Sequence, residues 1–153
     1  MTANPDDPAA GDAFTLSRFV DAQRATYPEA LAELRAGRKR THWMWFVFPQ
    51  LAGLGSSPTA RHYGIRSLAE AQAYLAHPLL GERLRECAQT LLALRGPSAE
   101  AIFGYPDVLK LRSSMTLFAE VPGADPVFDS VLARYYAGER DLRTLHLLAP
   151  DAG

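Results

Sequence analysis

The sequence predicts an all-α fold, a compact multihelical single domain with buried central helices. Apolar residues recur at the 3.6-residue spacing of amphipathic helices, most clearly between residues 78 and 94. Proline and glycine separate the periodic stretches, and the chain contains no Asn-Gly or Asp-Gly hairpin pair and no sustained apolar–polar alternation. These features favour about eight short helices joined by short loops, without an internal repeat or a second domain.

The first predicted helical region, residues 16–36, contains Pro28. Because a proline is tolerated in the first turn of a helix, we expect two helical stretches, with Pro28 opening the second. Gly37 follows the last periodic residue and suits a left-handed C-terminal cap. Residues 1–12 lack the basic and apolar regions of a signal peptide, so we expect a flexible N-terminal tail before a helical domain of residues 13–150.

Serine, proline and aspartate predict where the later helices begin. Ser57 followed by Pro58 is typical of an N-cap and a first helical turn. Ser67 with Glu70 has the spacing of a capping box, in which hydroxyl and carboxylate each accept a free backbone N–H. The most regular helix is predicted for residues 78–94, and further helices are predicted to begin at Ser98, at Pro106, at Asp125-Pro126 and near Leu142.

The most unusual feature is residues 38–50, Arg-Lys-Arg-Thr-His-Trp-Met-Trp-Phe-Val-Phe-Pro-Gln, here called the basic-aromatic segment. Its aromatic rings bring a large apolar area, of which at least one face must be buried. A short buried helix or an extended passage is favoured over a strand, because no partner strand is predicted. One interpretation is a core element beside a solvated basic turn. The other is a pocket floor of aromatic rings beside cations that bind an anionic or planar ligand.

The loop that follows, Gly53-Leu-Gly-Ser-Ser57, gives some support to the pocket interpretation. Glycines allow a backbone to approach a ligand closely, and the N–H groups at the start of the next helix suit an anion. The pattern matches neither a phosphate-binding P-loop nor a dinucleotide fingerprint, so by itself it is a weak signal.

A second polar cluster, Lys110-Leu-Arg-Ser-Ser-Met-Thr116, is predicted to lie on a helix with Lys110, Ser113 and Ser114 on one face. Either the serine hydroxyls bond back to the preceding turn inside a tight helix crossing, or they line a polar pocket with Lys110. A lysine four residues from a serine could activate a nucleophile, but this spacing does not require it.

The candidate functional residues come from both clusters. Weak catalytic candidates are His42, Lys110 and Ser114, with no reaction assigned. The histidines are scattered and no Cys-x2-Cys pair occurs, so neither a metal nor a cofactor is predicted. The predicted ligand-binding residues are Lys39, His42, Trp43, Trp45, Gln50, Ser57, Lys110, Ser113 and Thr116.

The overall composition argues against some classes of protein. The 16 Lys and Arg residues against 17 Asp and Glu argue against a surface tuned to nucleic acid, although a local basic patch stays open. The longest apolar run, residues 43–48, is far shorter than the roughly 20 residues that span a bilayer, so no membrane partner is expected. Cys87, the single cysteine, excludes an intramolecular disulfide and suits a cytoplasmic protein with a buried thiol.

Long motifs of this chain closely resemble a bacterial family. They are residues 39–57, Tyr63-Gly-Ile65, residues 70–75, residues 77–81, Ile102-Phe-Gly104, Lys110 and residues 113–118. The family they resemble is the domain-of-unknown-function family numbered 1810, whose members are often mislabelled calpastatin. The likeness runs from about Phe14 to Leu148 and implies a compact multihelical fold with two buried central helices, but no activity. The calpastatin label does not fit, because such an inhibitor is disordered and built of repeats.

Three hypotheses of function follow, and whether the protein is an enzyme stays open. The first is a protein that binds or acts on a small anionic, nucleotide-like ligand between the basic-aromatic segment and the Lys110 helix. The second is a helical protein-interaction module without enzymatic activity. The third, nucleic-acid binding, requires Arg38, Lys39, Arg40, Arg61 and Arg66 to form one exposed stripe. The sequence leaves the choice between a monomer and a homodimer open.

Overall fold

The computed structural model describes residues 12–149, and these residues form helices connected by short loops. The predicted all-α fold class is confirmed, since no strand longer than an isolated bridge occurs in the described part of the chain. The helices are α1 (Ser17–Arg35), α2 (Met44–Val47), α3 (Pro58–Tyr63), α4 (Leu68–Ala76), α5 (Leu80–Ala93), α6 (Ala99–Phe103), α7 (Asp107–Ala119), α8 (Val127–Tyr136) and α9 (Leu142–Leu148).

The predicted break at Pro28 is wrong, because α1 runs without interruption from Ser17 to Arg35 with the proline inside it. Pro28 removes one helical N–H. The residues around it, Tyr27, Ala30 and Leu31, are nevertheless buried in the core. Tertiary packing of this face therefore maintains the helix against the local preference of proline.

Local capping chemistry starts several helices where the sequence predicts it. Ser57, Ser67 and Ser98 each accept a backbone N–H three residues later, at 3.1 Å. The capping box at Ser67 differs from the expectation in one respect. Glu70 accepts the N–H of Arg66, at 3.2 Å, and its other oxygen lies 2.6 Å from Arg18 Nη2. The carboxylate therefore also ties α4 to α1.

Helix α7 lies at the centre of the fold, packed against α4, α6, α8 and α9. Its residues Leu111, Met115, Leu117 and Phe118 are fully buried. Helix α2 is a single turn within the basic-aromatic segment, and it packs against α1 and α3. These two helices bury the apolar parts of the two predicted clusters, including Met44, Val47 and Met115, in the core.

Backbone hydrogen bonds join the segment that follows α2 to the segment that precedes α4. Ala52 N donates to Ile65 O at 2.7 Å, and Ile65 N donates to Gln50 O at 3.0 Å. These bonds form an isolated parallel bridge between Leu51 and Ile65. The Gly53–Ser57 loop is thereby closed at its base.

The predicted domain limits stay a prediction, because residues 1–11 and 150–153 lie outside the described residues. Asp12 was expected in the flexible tail but is part of the described fold, where its carboxylate accepts the N–H groups of Leu16 and Ser17. None of the helices between residues 12 and 149 has the length and apolar character that crossing a membrane requires.

Candidate functional site

Glu33, near the end of α1, organises the start of the basic-aromatic segment. Its Oε1 accepts the N–H groups of Arg40 (2.6 Å) and Thr41 (2.9 Å) and the indole N–H of Trp43 (3.0 Å). Its Oε2 accepts the hydroxyl of Thr41 at 2.5 Å. Burial acts to raise the pKa of this carboxyl, but the hydrogen bonds outweigh it and lower the pKa to about 2. Glu33 therefore remains ionised and holds the turn in one conformation.

Lys39 follows Gly37 and points inward rather than to solvent. Its Nζ lies 2.9 Å from Asp107 Oδ2, donates to Thr41 O at 2.6 Å and lies 5.1 Å from the ring centre of Trp43. Only 7% of the side chain is exposed. A buried ammonium needs a carboxylate and hydrogen-bond acceptors to offset its desolvation, and Lys39 has both.

Lys110 lies one turn into α7, on the other side of the same carboxylate. Its Nζ is 3.2 Å from Asp107 Oδ1 and 3.8 Å from the ring centre of Trp45. The side chain is 20% exposed, so solvent reaches it more easily than it reaches Lys39. Asp107 therefore joins the two regions that the sequence singled out, and we call this group the Lys39–Asp107–Lys110 cluster.

The cluster carries two positive charges and one negative charge, and two indole rings line it. Trp43 is fully buried, in contact with Phe48 and Phe103, whereas Trp45 is half-buried. Trp43 therefore belongs to the core, and Trp45 belongs to the accessible edge. Trp45 and Lys110 together form a surface that combines an aromatic ring and a cation.

The predicted residues Ser113 and Thr116 lie against a different partner. Ser113 Oγ donates to Leu109 O at 3.2 Å and to Asp141 Oδ2 at 2.9 Å. Thr116 Oγ1 donates to Arg112 O at 2.8 Å and accepts the N–H of Asp141 at 3.0 Å. Both hydroxyls thus bond back to the preceding turn and fix the start of α9 against α7. Of the two serines for which the helix-crossing interpretation predicts such a bond, Ser113 makes it.

Ser114 is fully buried, and its hydroxyl has no hydrogen-bond partner among the described residues. It lies one turn after Lys110 on the same face of α7. No hydrogen bond joins Lys110 to Ser113 or Ser114 within residues 12–149, and a catalytic role of Lys110 or Ser114 stays a prediction.

The three remaining predicted residues are not joined to the cluster by any hydrogen bond among the described residues. His42 is exposed beside Trp43. Gln50 uses its backbone carbonyl in the bridge to Ile65. Ser57 is exposed and caps α3. Their role in ligand binding stays a prediction.

The exposed basic stripe that nucleic-acid binding requires is incomplete. Arg38, Arg40, Arg61 and Arg66 are exposed. Lys39 is not, because it is turned inward to Asp107. The described part of the chain also contains no group of three or more His, Cys, Asp or Glu residues arranged to hold a metal ion.

Sequence reasoning missed two residues that shape this site. Neither Asp107 nor Glu33 is among the residues that the sequence singles out. Glu33 occupies a buried position of α1 next to Leu34, and a carboxylate in an apolar stripe is a sign of a specific partner. Asp107 precedes Lys110 by three residues, which allows an ion pair on one helix but does not reveal the second lysine.

The sequence profile of the family described as "Protein of unknown function (DUF1810)" matches residues 13–148. The chain belongs to this family. The resemblance stated from its motifs is therefore confirmed, and the DUF1810 family brings no assigned activity with it. No curated protein matches the chain significantly.

A solved member supports the same fold. The chain is similar to the crystal structure of the conserved hypothetical protein Rv1873 from Mycobacterium tuberculosis, with 60% sequence identity and a TM-score of 0.89. The match covers 91% of this chain and 99% of that chain. The DUF1810 fold is thus shared over nearly the full length of both proteins.

Proposed function

We propose that the protein is a cytoplasmic binding protein for a small anion that carries a planar ring, with Lys110 and Trp45 as its principal contacts. The observation that carries the proposal is the position of the Lys110 ammonium. It lies 3.8 Å from the ring centre of Trp45, and it shares the carboxylate of Asp107 with a second lysine.

The charge balance of the cluster favours an anion. One carboxylate faces two ammonium groups, so the cluster retains one positive charge. Lys39 is too deeply buried to contact a ligand. Its ammonium nevertheless offsets part of the negative charge of Asp107, so Asp107 screens the positive charge of Lys110 less from a bound anion. A phosphate or carboxylate bound at Lys110 would neutralise the remaining positive charge of the cluster.

The aromatic edge favours a ligand with a planar ring. Trp45 is half-buried, and the ammonium of Lys110 lies over its ring. An anion held by Lys110 would bring any attached ring against this apolar edge. Arg40 and His42, a few residues before Trp45 in the same segment, are exposed. A nucleotide-like compound combines the two required groups.

The contacts favour binding over catalysis. An activated nucleophile requires a hydrogen bond from serine to a base. Ser113 instead bonds to Asp141, and Ser114 Oγ has no partner within residues 12–149. The proposal therefore gives Lys110 the role of an anion-binding cation.

A thermal-shift comparison tests the proposal with AMP, adenosine and inorganic phosphate. AMP has both the anion and the ring, whereas adenosine and phosphate each have one of them. We expect AMP to raise the melting temperature by several degrees at a concentration of roughly 100 times Kd, because such binding adds about 2.7 kcal/mol. Adenosine and phosphate should have smaller effects.

Variants locate the binding site. Lys110→Gln and Trp45→Leu should each reduce the AMP shift by at least half. Arg24→Gln, which changes an exposed arginine that pairs with Asp21, serves as the matched control and should leave the shift intact. The absence of an AMP shift, or an undiminished shift in folded Lys110→Gln, would contradict the proposal.

A further inference from the structure

A surface cleft lies on a different side of α7, where the α8–α9 connection crosses the helix. Its volume is about 510 Å³. Thr116 and Ser113 hold Asp141, one of its lining residues, against α7. The cleft is lined by Arg112, Glu139, Arg140, Asp141, Leu142 and Arg143.

Arg112 is the unusual member of this lining. Its Nε is buried and has no hydrogen-bond partner among the described residues. No carboxylate of residues 12–149 forms an ion pair with its guanidinium. The guanidinium carbon lies 5.9 Å from the ring centre of Tyr136. The Nε has too little accessible surface for a ligand to reach it, but Arg112 lines the cleft. An acceptor in the cleft would therefore bind the ends of the guanidinium, which has no carboxylate partner within residues 12–149.

The neighbouring charged residues are already engaged. Arg140 lies 3.2 Å from Glu120 and 2.5 Å from Asp129, and the hydrogen bonds to these carboxylates raise its pKa although burial acts to lower it. Asp141 Oδ2 accepts Ser113 Oγ, the N–H of Thr144 and its hydroxyl. Neither residue therefore serves Arg112 as a partner.

The charge of the lining selects the class of acceptor. Three arginines line the cleft together with the carboxylates of Glu139 and Asp141. Arg140 is already paired with Glu120 and Asp129, so Arg112 and Arg143 face two carboxylates and the lining has no surplus positive charge. Two further carboxylates, Glu120 and Asp129, stand behind Arg140. A multiply charged phosphate would be repelled by these carboxylates, whereas a single carboxylate matches the fork of one guanidinium. Leu142 is 77% exposed at the edge and offers an apolar contact.

We propose that this cleft binds a small monocarboxylate through Arg112, with Arg143 at the mouth and Leu142 against the apolar part of the ligand. The site is separate from the Lys39–Asp107–Lys110 cluster, and it does not depend on the function proposed for that cluster. It is formed by the middle of α7 and the residues that lead into α9.

The test is a titration of the full chain with hexanoate, followed by ¹⁵N NMR of the arginine Nε–H groups. We expect the Arg112 signal to move progressively with hexanoate, because a carboxylate bound at the end of the guanidinium changes the environment of the neighbouring Nε–H. Hexanamide, which lacks the charge, should not move it. Inorganic phosphate should bind at least about tenfold more weakly, because of the surrounding carboxylates.

Two variants separate binding from folding. Arg112→Lys keeps the charge but loses the fork, and it should weaken hexanoate binding by about tenfold or more. Arg143→Gln changes an exposed residue, should leave the melting temperature intact, and should weaken binding severalfold. Lys110→Gln should leave hexanoate binding unchanged, so failure of the function proposed for Lys110 and failure of this site are distinguishable.

Three results would overturn the proposal. The Arg112 signal could be insensitive to hexanoate, as expected if only water fills the cleft. Hexanamide could shift it as strongly as hexanoate does. Binding could also persist undiminished in folded Arg143→Gln and Arg112→Lys, which would place the ligand elsewhere.

Discussion

Replacement of Glu33 by glutamine tests whether one carboxylate holds the basic-aromatic segment in place. In the folded protein its pKa is about 2, against an ordinary value of 4.5. Each pKa unit corresponds to about 1.4 kcal/mol, so ionised Glu33 stabilises the fold by roughly 3 kcal/mol at neutral pH. Glutamine retains the shape and one acceptor oxygen but loses the charge that strengthens the hydrogen bonds.

The pH dependence has a definite sign. Because the pKa of Glu33 is lower in the folded state, its stabilising effect is fully present above the unfolded value of 4.5 and is lost as the pH falls towards 2. The same two pKa values leave about 1.4 kcal/mol of this effect at pH 3. The difference between wild type and Glu33→Gln should therefore shrink by about half between pH 7 and pH 3.

Urea unfolding at the two pH values, monitored by tryptophan fluorescence, measures this difference. Glu29→Gln is the matched control, because Glu29 is an exposed carboxylate one turn earlier on α1. It should change the free energy of unfolding by less than about 0.5 kcal/mol. The reasoning is refuted if Glu33→Gln costs no more than this control at pH 7, or if its cost does not depend on pH.

Two further predictions concern packing and the buried ion pair. Gly81→Ala should destabilise the fold by about 3 kcal/mol in urea unfolding, because the new Cβ would lie 2.1 Å from Leu75 O, a backbone atom. Helix propensity alone predicts stabilisation by up to about 1 kcal/mol, so a more stable variant would contradict the packing argument. Asp107→Asn should cost roughly 2 kcal/mol, because it leaves the buried ammonium of Lys39 without a carboxylate. Asp21→Asn is the control, because Asp21 forms an exposed ion pair with Arg24, and it should change the free energy of unfolding by less than about 0.5 kcal/mol. Equal losses of stability in Asp107→Asn and Asp21→Asn would contradict a buried role for Asp107.

Local chemistry makes much of the fold predictable from the sequence. The caps at Ser57, Ser67 and Ser98 depend on a hydroxyl and on N–H groups within the next turn, so a short window contains the whole cause. Pro28 shows the limit of such windows. Whether α1 continues through it depends on the core that Tyr27 and Leu31 meet, and residues far away in the sequence form that core.

The candidate site likewise contains residues that the sequence indicates and one residue, Asp107, that only the structure reveals. Unusual composition pointed to the basic-aromatic segment and to Lys110, and the structure joins Lys39 to Lys110 through Asp107. Asp107 itself carries no sequence signal beyond its spacing from Lys110. Its importance arises from a contact between segments about 70 positions apart, and such contacts depend on how the helices pack.

The placement of Lys110 and Arg112 on α7 explains why one polar cluster in the sequence becomes two sites in space. Residues two apart on an α-helix point about 200° apart, so these side chains face nearly opposite sides. Lys110 meets Trp45 and Asp107 on one side. On the other side Arg112 lines the cleft, and Thr116, one turn later, binds Asp141. Ser113 also binds Asp141, so two of the hydroxyls predicted to line a pocket with Lys110 instead hold Asp141, which lines the cleft beside Arg112. Because Leu111 and Met115, which are fully buried, hold α7 in the core between the two sides, a substitution at either residue should leave the contacts of the other in place. Ligand binding at Lys110 and at Arg112 should therefore respond independently to mutation.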